Sequence, residues 1–137
     1  MKTLRPILVV FALLFVATAA HAQQTAVNAT IPFNFVVGDR AYPAGEYTFQ
    51  SNGALLRVVD SDKSQLGILM SNACESVTPS SDTKLVFQRM GGYYFLQQIW
   101  VAGDTRGREL PKSNTETRLA KSHVDSDSVI VAANITR

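Results

Sequence analysis

The side chains best suited to hold a ligand are the aromatics Tyr93, Tyr94, Phe95 and Trp100, because flat rings stack on sugars and on apolar molecules. The expected binding surface lies where Tyr94 or Trp100 meets the loop at residues 103–108, with Asp104, Arg106 and Arg108 as its charged members. The same rings equally fill the core of a small β-domain, where each buries a large area.

Other chemistry-bearing residues fall short of a site. Asp60-Ser61-Asp62 and Asp125-Ser126-Asp127 resemble calcium-binding loops, yet Gln65 stands where an EF-hand needs glycine and Ser71 where it needs the closing glutamate. Both read as solvated turns. His123 has Asp125 and Ser126 beside it, but a catalytic triad is a convergence in space of residues held by different elements, so His123 is expected to be an exposed loop residue. Cys74 is the sole cysteine, so no internal disulfide forms, and no neighbouring cation or histidine lowers its pKa. One cysteine and one histidine do not make a zinc site, and no metal or cofactor is expected. No GxSxG, HExxH, Walker-type or dinucleotide motif occurs. Catalysis would need carboxylates from separate strands, such as Glu46, Glu75 and Glu109.

The elements that must position these residues are strands. Residues 23–28 read as a mobile leader, and residues 31–37 as an edge strand with Ile31, Phe33, Phe35 and Val37 on one face and Pro32 on the other. A short strand around Tyr47 and Phe49, the hairpin dipeptide Asn52-Gly53, and a strand at 54–59 follow. After a turn at 60–64, a strand runs from Gln65 to about Cys74, and residues 75–83 form a surface loop. Gly91-Gly92 joins strands at 84–90 and 93–101, the second apolar on both faces and therefore central. Ser113 and Glu116 have capping-box spacing, which predicts two helical turns over 114–121 anchored by Leu119 and Ala120. A last strand covers 128–135. About seven strands and one short helix near the C-terminus give an all-β fold, a single antiparallel β-sandwich or a small open barrel.

Lys2 and Arg5 precede an apolar run at 7–16 and then Ala20-His21-Ala22, the order of a secretory signal peptide cleaved between Ala22 and Gln23. Residues 1–22 are then the signal, and residues 23–137 are one domain released to the periplasm or the extracellular space. The precursor carries 13 basic and 11 acidic residues. Losing Lys2 and Arg5 leaves the mature chain neutral, without the clustered cations that nucleic acid or an anionic membrane requires. The apolar run is too short for a spanning helix, and most strands are too short for an outer-membrane barrel, so no stable membrane insertion is expected after cleavage. Asn28-Ala29-Thr30 and Asn134-Ile135-Thr136 match the glycosylation pattern, which matters only in a eukaryotic route.

The segments IPFNFVVGD at 31–39, PAGEY at 43–47, LVF at 85–87, YFL at 94–96 and GRELP at 107–111 occur in an order that resembles a group of small secreted proteins predicted from acidobacterial genomes. The resemblance implies a bacterial, exported origin and carries no mechanism. The functional expectation is thus an exported, non-catalytic β-domain that binds a protein or small molecule, or serves the cell envelope. The alternatives are a lipocalin-like carrier, with Phe33, Phe35, Tyr47 and Trp100 lining an apolar cavity, and a hydrolase built on separate-strand carboxylates.

Overall fold

The computed structural model describes residues 24–136, so the signal segment and the cleavage between Ala22 and Gln23 lie outside the described residues. The supposed leader is instead strand β1 (Thr25–Ile31). Val27, Ala29 and Ile31 alternate inward and are buried, while the Asn28 amide on the outer face donates to Glu46 Oε1 at 3.1 Å and Thr48 Oγ1 at 3.3 Å. The chain then bends at 32–34, where Pro32 lacks an N–H for a ladder. It restarts as β2 (Phe35–Val37), which turns back as β3 (Arg40–Tyr42). The single strand expected over 31–37 is therefore two, and Pro32 marks a corner between sheets.

Strands β4 (Gly45–Asn52) and β5 (Leu55–Asp60) pair with Asn52 opposite Leu55. The two-residue loop is thus Gly53-Ala54, one position later than the dipeptide Asn52-Gly53. Gly53 has φ 58° and Ala54 does not have positive φ, as a II′ turn requires. At the next turn Asp60 Oδ1 accepts from the backbone N–H groups of Asp62 and Ser64, so this acidic pair serves as a turn. Strand β6 (Gln65–Met70) completes that side.

The remaining elements are β7 (Asn72–Glu75), β8 (Lys84–Met90), β9 (Tyr93–Trp100), β10 (Arg106–Glu109), helix α1 (Asn114–Lys121), β11 (Ser126–Ala132) and β12 (Asn134–Thr136). They resolve into two sheets. The first has the order β12-β1-β4-β5-β6, and the second β11-β8-β9-β10-β7. Strand β2 joins the second sheet along the part of β9 that β10 leaves free, through a parallel contact at Val36 and Phe95. Neither sheet closes on itself among the described residues, so the arrangement is sandwich-like, with no closed barrel. The chain changes sheets at Ser71, whose N–H and Oγ both bond to the Ala54 carbonyl, and at Ala133, whose N–H bonds to the Thr83 carbonyl. The segments expected as single strands over 65–74 and 128–135 are each divided there. Apolar alternation runs through both corners, which hides two of the five strands beyond the expected seven among the described residues; the other three are β1, read as a leader, and β3 and β10, read as turn and loop.

Between the sheets, Phe35, Phe49, Phe87, Leu56, Leu85 and Val58 are fully buried. A second, smaller apolar layer lies on the opposite face of the second sheet, under α1. Phe95 and Met90 are buried there, outside the main cluster. The irregularity between Val86 and Phe87 puts one extra residue into β9, so that Leu96 and Ile99, three positions apart, both face the main core, opposite Phe87 and Leu85.

The helix forms where the capping box predicts it. Ser113 Oγ accepts from the Glu116 N–H at 3.0 Å, and Asp39 Oδ1 accepts from the Asn114 N–H at 3.0 Å. The expected anchors are corrected: Ala120 is exposed, and Glu116 is the buried residue of the helix, its carboxylate accepting from the Gln97 amide. Leu119 packs beside Gly91. Burial pushes the Glu116 carboxyl above its ordinary value, partly offset by the Ser113 backbone, Lys112 and Gln97. Between the ordinary and the raised pKa the native state holds more proton than the unfolded chain, so this group's stabilising share is full at acid pH and is lost as pH rises. Glu116→Gln should therefore gain stability relative to the parent on going from pH 4 to pH 7. Urea midpoints at the two pH values measure the difference, and a pH-independent difference would contradict the assignment.

No helix among the described residues is long and apolar enough to cross a membrane.

Candidate functional site

Alternation along β10 places Arg106 and Arg108 on one face and Gly107 and Glu109 on the other. Arg108 stands opposite Ile99 on β9 and Ala73 on β7. Ile99 is part of the buried core, so both arginines lie on the inner face of the second sheet, at the end where the sandwich opens. The first sheet faces them with Thr25, Val27, Phe49, Ser51 and Leu56, and the turn at Gly53 completes the wall. The result is a cleft of about 270 Å³. Val27, Phe49, Leu56 and Ile99 make an apolar floor, and Thr25, Ser51, Asp104, Arg106 and Arg108 make a polar mouth.

The mouth is held by short backbone ties. Asp104 Oδ1 accepts from the Arg106 N–H at 2.9 Å, and the loops at 76–81 and 102–105 are joined by Ser76 to Thr105, Ser80 to Asp104 and Gly103 to Ser80. The expected loop at 103–108 is thus partly a strand, which fixes where the arginines point. Arg106 Nε lies 3.4 Å from Glu75 Oε1, with both side chains about three-quarters exposed (75% and 73%). Arg108 has no carboxylate within ion-pair distance among the described residues. A guanidinium offers paired donors to a carboxylate or phosphate, and the floor beneath offers apolar contact.

Of the five residues expected to form one surface, the structure brings together Asp104, Arg106 and Arg108 and separates the other two. Tyr94 lies toward the opposite end of β9, stacked on Phe33 with ring centroids 3.9 Å apart. Trp100 is on the outer face of the second sheet, against Gly107, with its Nε1 donating to Gln98 Oε1 at 3.0 Å. It borders a different groove, with Lys84 and the loop at 76–81. The two-residue spacing of Arg106 and Arg108 stands in the sequence, but the strand that turns it into a shared face does not, since residues 103–108 read as a loop. The facing wall is not visible there either, because it depends on how the sheets pack.

Other candidates stay dispersed. Glu46 lies on the outer face of the first sheet, Glu75 beside Arg106, and Glu109 on the outer face of the second sheet. Cys74 sits next to Gly107 in the outer-face row with Trp100, and burial, followed by the charge of Glu109, pushes its thiol up despite backbone hydrogen bonds and Arg108. A raised thiol holds little thiolate at neutral pH, so Cys74 is a poor nucleophile there. His123 is exposed with φ 54°, just past the helix C-cap Ser122. Comparison with protein-family models, curated proteins and solved structures finds no match, so the site is read from its own geometry.

Proposed function

We propose that this chain is an exported, non-catalytic binding domain whose cleft takes a small amphipathic anion. The apolar part of the ligand rests on Val27, Phe49, Leu56 and Ile99, and its carboxylate-like head meets Arg108. The observation that carries this reading is a guanidinium on the inner face of a sandwich, opposite Ala73 and Ile99, with no carboxylate partner among the described residues. A cation at the margin of a core is costly unless something answers it. The ligand sits at the mouth and not in a central cavity of the lipocalin kind, because the rings of Phe35, Tyr42, Tyr47 and Phe87 pack against one another across the middle. Export is supported by Lys2, Arg5, the apolar run at 7–16 and Ala20-His21-Ala22, and by the resemblance to secreted acidobacterial proteins.

Calorimetric titration with hexanoate, and with hexan-1-ol as the uncharged control, tests the proposal. Hexanoate binds saturably and less tightly as salt is raised, hexanol does not bind, and Arg108→Met weakens hexanoate by about tenfold, the value of one charge-assisted contact. Equal binding of the alcohol and the acid, or no saturable binding of hexanoate, would remove this reading.

A further inference from the structure

We infer that the cleft is selective for a singly charged head group and that Glu75 sets this selectivity by holding Arg106. The inference rests on the role proposed above for Arg108. The two arginines share a face of β10, but their neighbours on β7 differ: Arg106 stands opposite Glu75, and Arg108 opposite Ala73. One guanidinium is therefore already answered by a carboxylate of the chain itself, at 3.4 Å, and the other is not. Asp104 adds a second fixed negative charge at the rim, positioned by the Arg106 N–H on its Oδ1.

The two cations and two carboxylates around the mouth cancel. A ligand carboxylate on Arg108 meets the one unanswered cation. A second negative group on the same head has two places to go. It displaces Glu75 from Arg106, against a competitor fixed to the neighbouring strand at high effective concentration. Otherwise it stays unpaired near Asp104 and Glu75, where like charges repel. Either way the doubly charged head binds less well. Glu75 acts as a built-in occupant of the second anion position.

Hexanoate and butylmalonate separate these cases, since butylmalonate is hexanoate with a second carboxylate on the same carbon. Titrated at low salt, the parent protein favours hexanoate. In Glu75→Gln, butylmalonate gains about fivefold, the upper value of one exposed ion pair, and hexanoate changes by less than about twofold. The Glu75–Arg106 pair is largely exposed, so the variant keeps its fold, checked by an unchanged urea midpoint. Adding Arg106→Gln to Glu75→Gln abolishes the gain. An equal change for both ligands, or no change for butylmalonate, overturns the role of Glu75 while hexanoate binding leaves that of Arg108 standing. Failure of both ligands to bind either protein overturns the binding role, and the selectivity with it.

Discussion

Phe35→Ala should lower stability by about 4 kcal/mol, the middle of the range for removing a buried aromatic ring. Phe35 is 1% exposed and packs against Tyr42, Tyr47 and Phe87, with ring centroids 5.5, 5.1 and 5.8 Å away. Its strand, β2, is only three residues long and meets β9 at one register position. The side chain thus holds the strand as much as the strand holds the side chain. Removing it opens a void in the middle of the sandwich that short, corner-bound strands cannot close by sliding. The Tyr47 hydroxyl, which donates to the Pro43 carbonyl at 2.7 Å, keeps its ring from swinging into the gap. A loss of this size lowers Tm by about 15 °C. Phe35→Leu keeps most of the volume and should lose less than half as much. Urea unfolding followed by far-ultraviolet circular dichroism measures both, and a Phe35→Ala loss below about 1.5 kcal/mol would show that the interior is not packed as described.

Gly107→Ala is expected to cost about 3 kcal/mol, although it adds a single methyl group. A Cβ at this position would lie 2.8 Å from two atoms of the Trp100 ring and 2.9 Å from the Ile99 carbonyl oxygen. The indole can shift at a cost, but the carbonyl belongs to the ladder between β9 and β10 and has little room to move. Gly107 is therefore set by close approach and not by backbone freedom, since its φ is not among the positive values. Pairing the change with Trp100→Ala separates the two contacts. The double variant should recover about 1 kcal/mol relative to the sum of the single changes, and the remainder belongs to the carbonyl. Strict additivity would mean that the ring is not what the methyl group meets. Because Gly107 lies between Arg106 and Arg108, Gly107→Ala should also disturb hexanoate binding without touching a charged group.

How much of this could be read from the chain depended on whether the signal was local. Gly91-Gly92 and the Ser113-to-Glu116 spacing each specify their element through a few adjacent residues, and both stand in the structure where they were expected. Residues 23–28 read as a leader because Gln23, Gln24, Thr25, Ala26 and Asn28 are small or polar, although Val27, Ala29 and Ile31 alternate toward the core. Ser71 and Ala133 gave no warning of a change of sheet, since neither is a glycine or proline and the apolar pattern continues across each. In the site, Asp104, Arg106 and Arg108 were found as neighbours in sequence. Phe49, Leu56 and Val27 were not, because residues so far apart along the chain meet only through packing of the two sheets. Tyr94 and Trp100 were placed with them by proximity in sequence, and the length and opposing faces of β9 separate them.

The register that sets Ala26 opposite Thr136 also governs how the molecule assembles. Strand β1 is flanked by β4 on one side and β12 on the other, so the first sheet is left one neighbour short until residues 134–136 arrive. Joining residues 26–28 to 134–136 closes the longest loop of any strand pairing among the described residues, and so carries the largest closure entropy. The hairpins of β4 with β5 and β8 with β9 need only short closures and can form early. Residues 126–136 reach both sheets, β11 pairing with β8 in the second and β12 with β1 in the first, so this one segment couples the two layers.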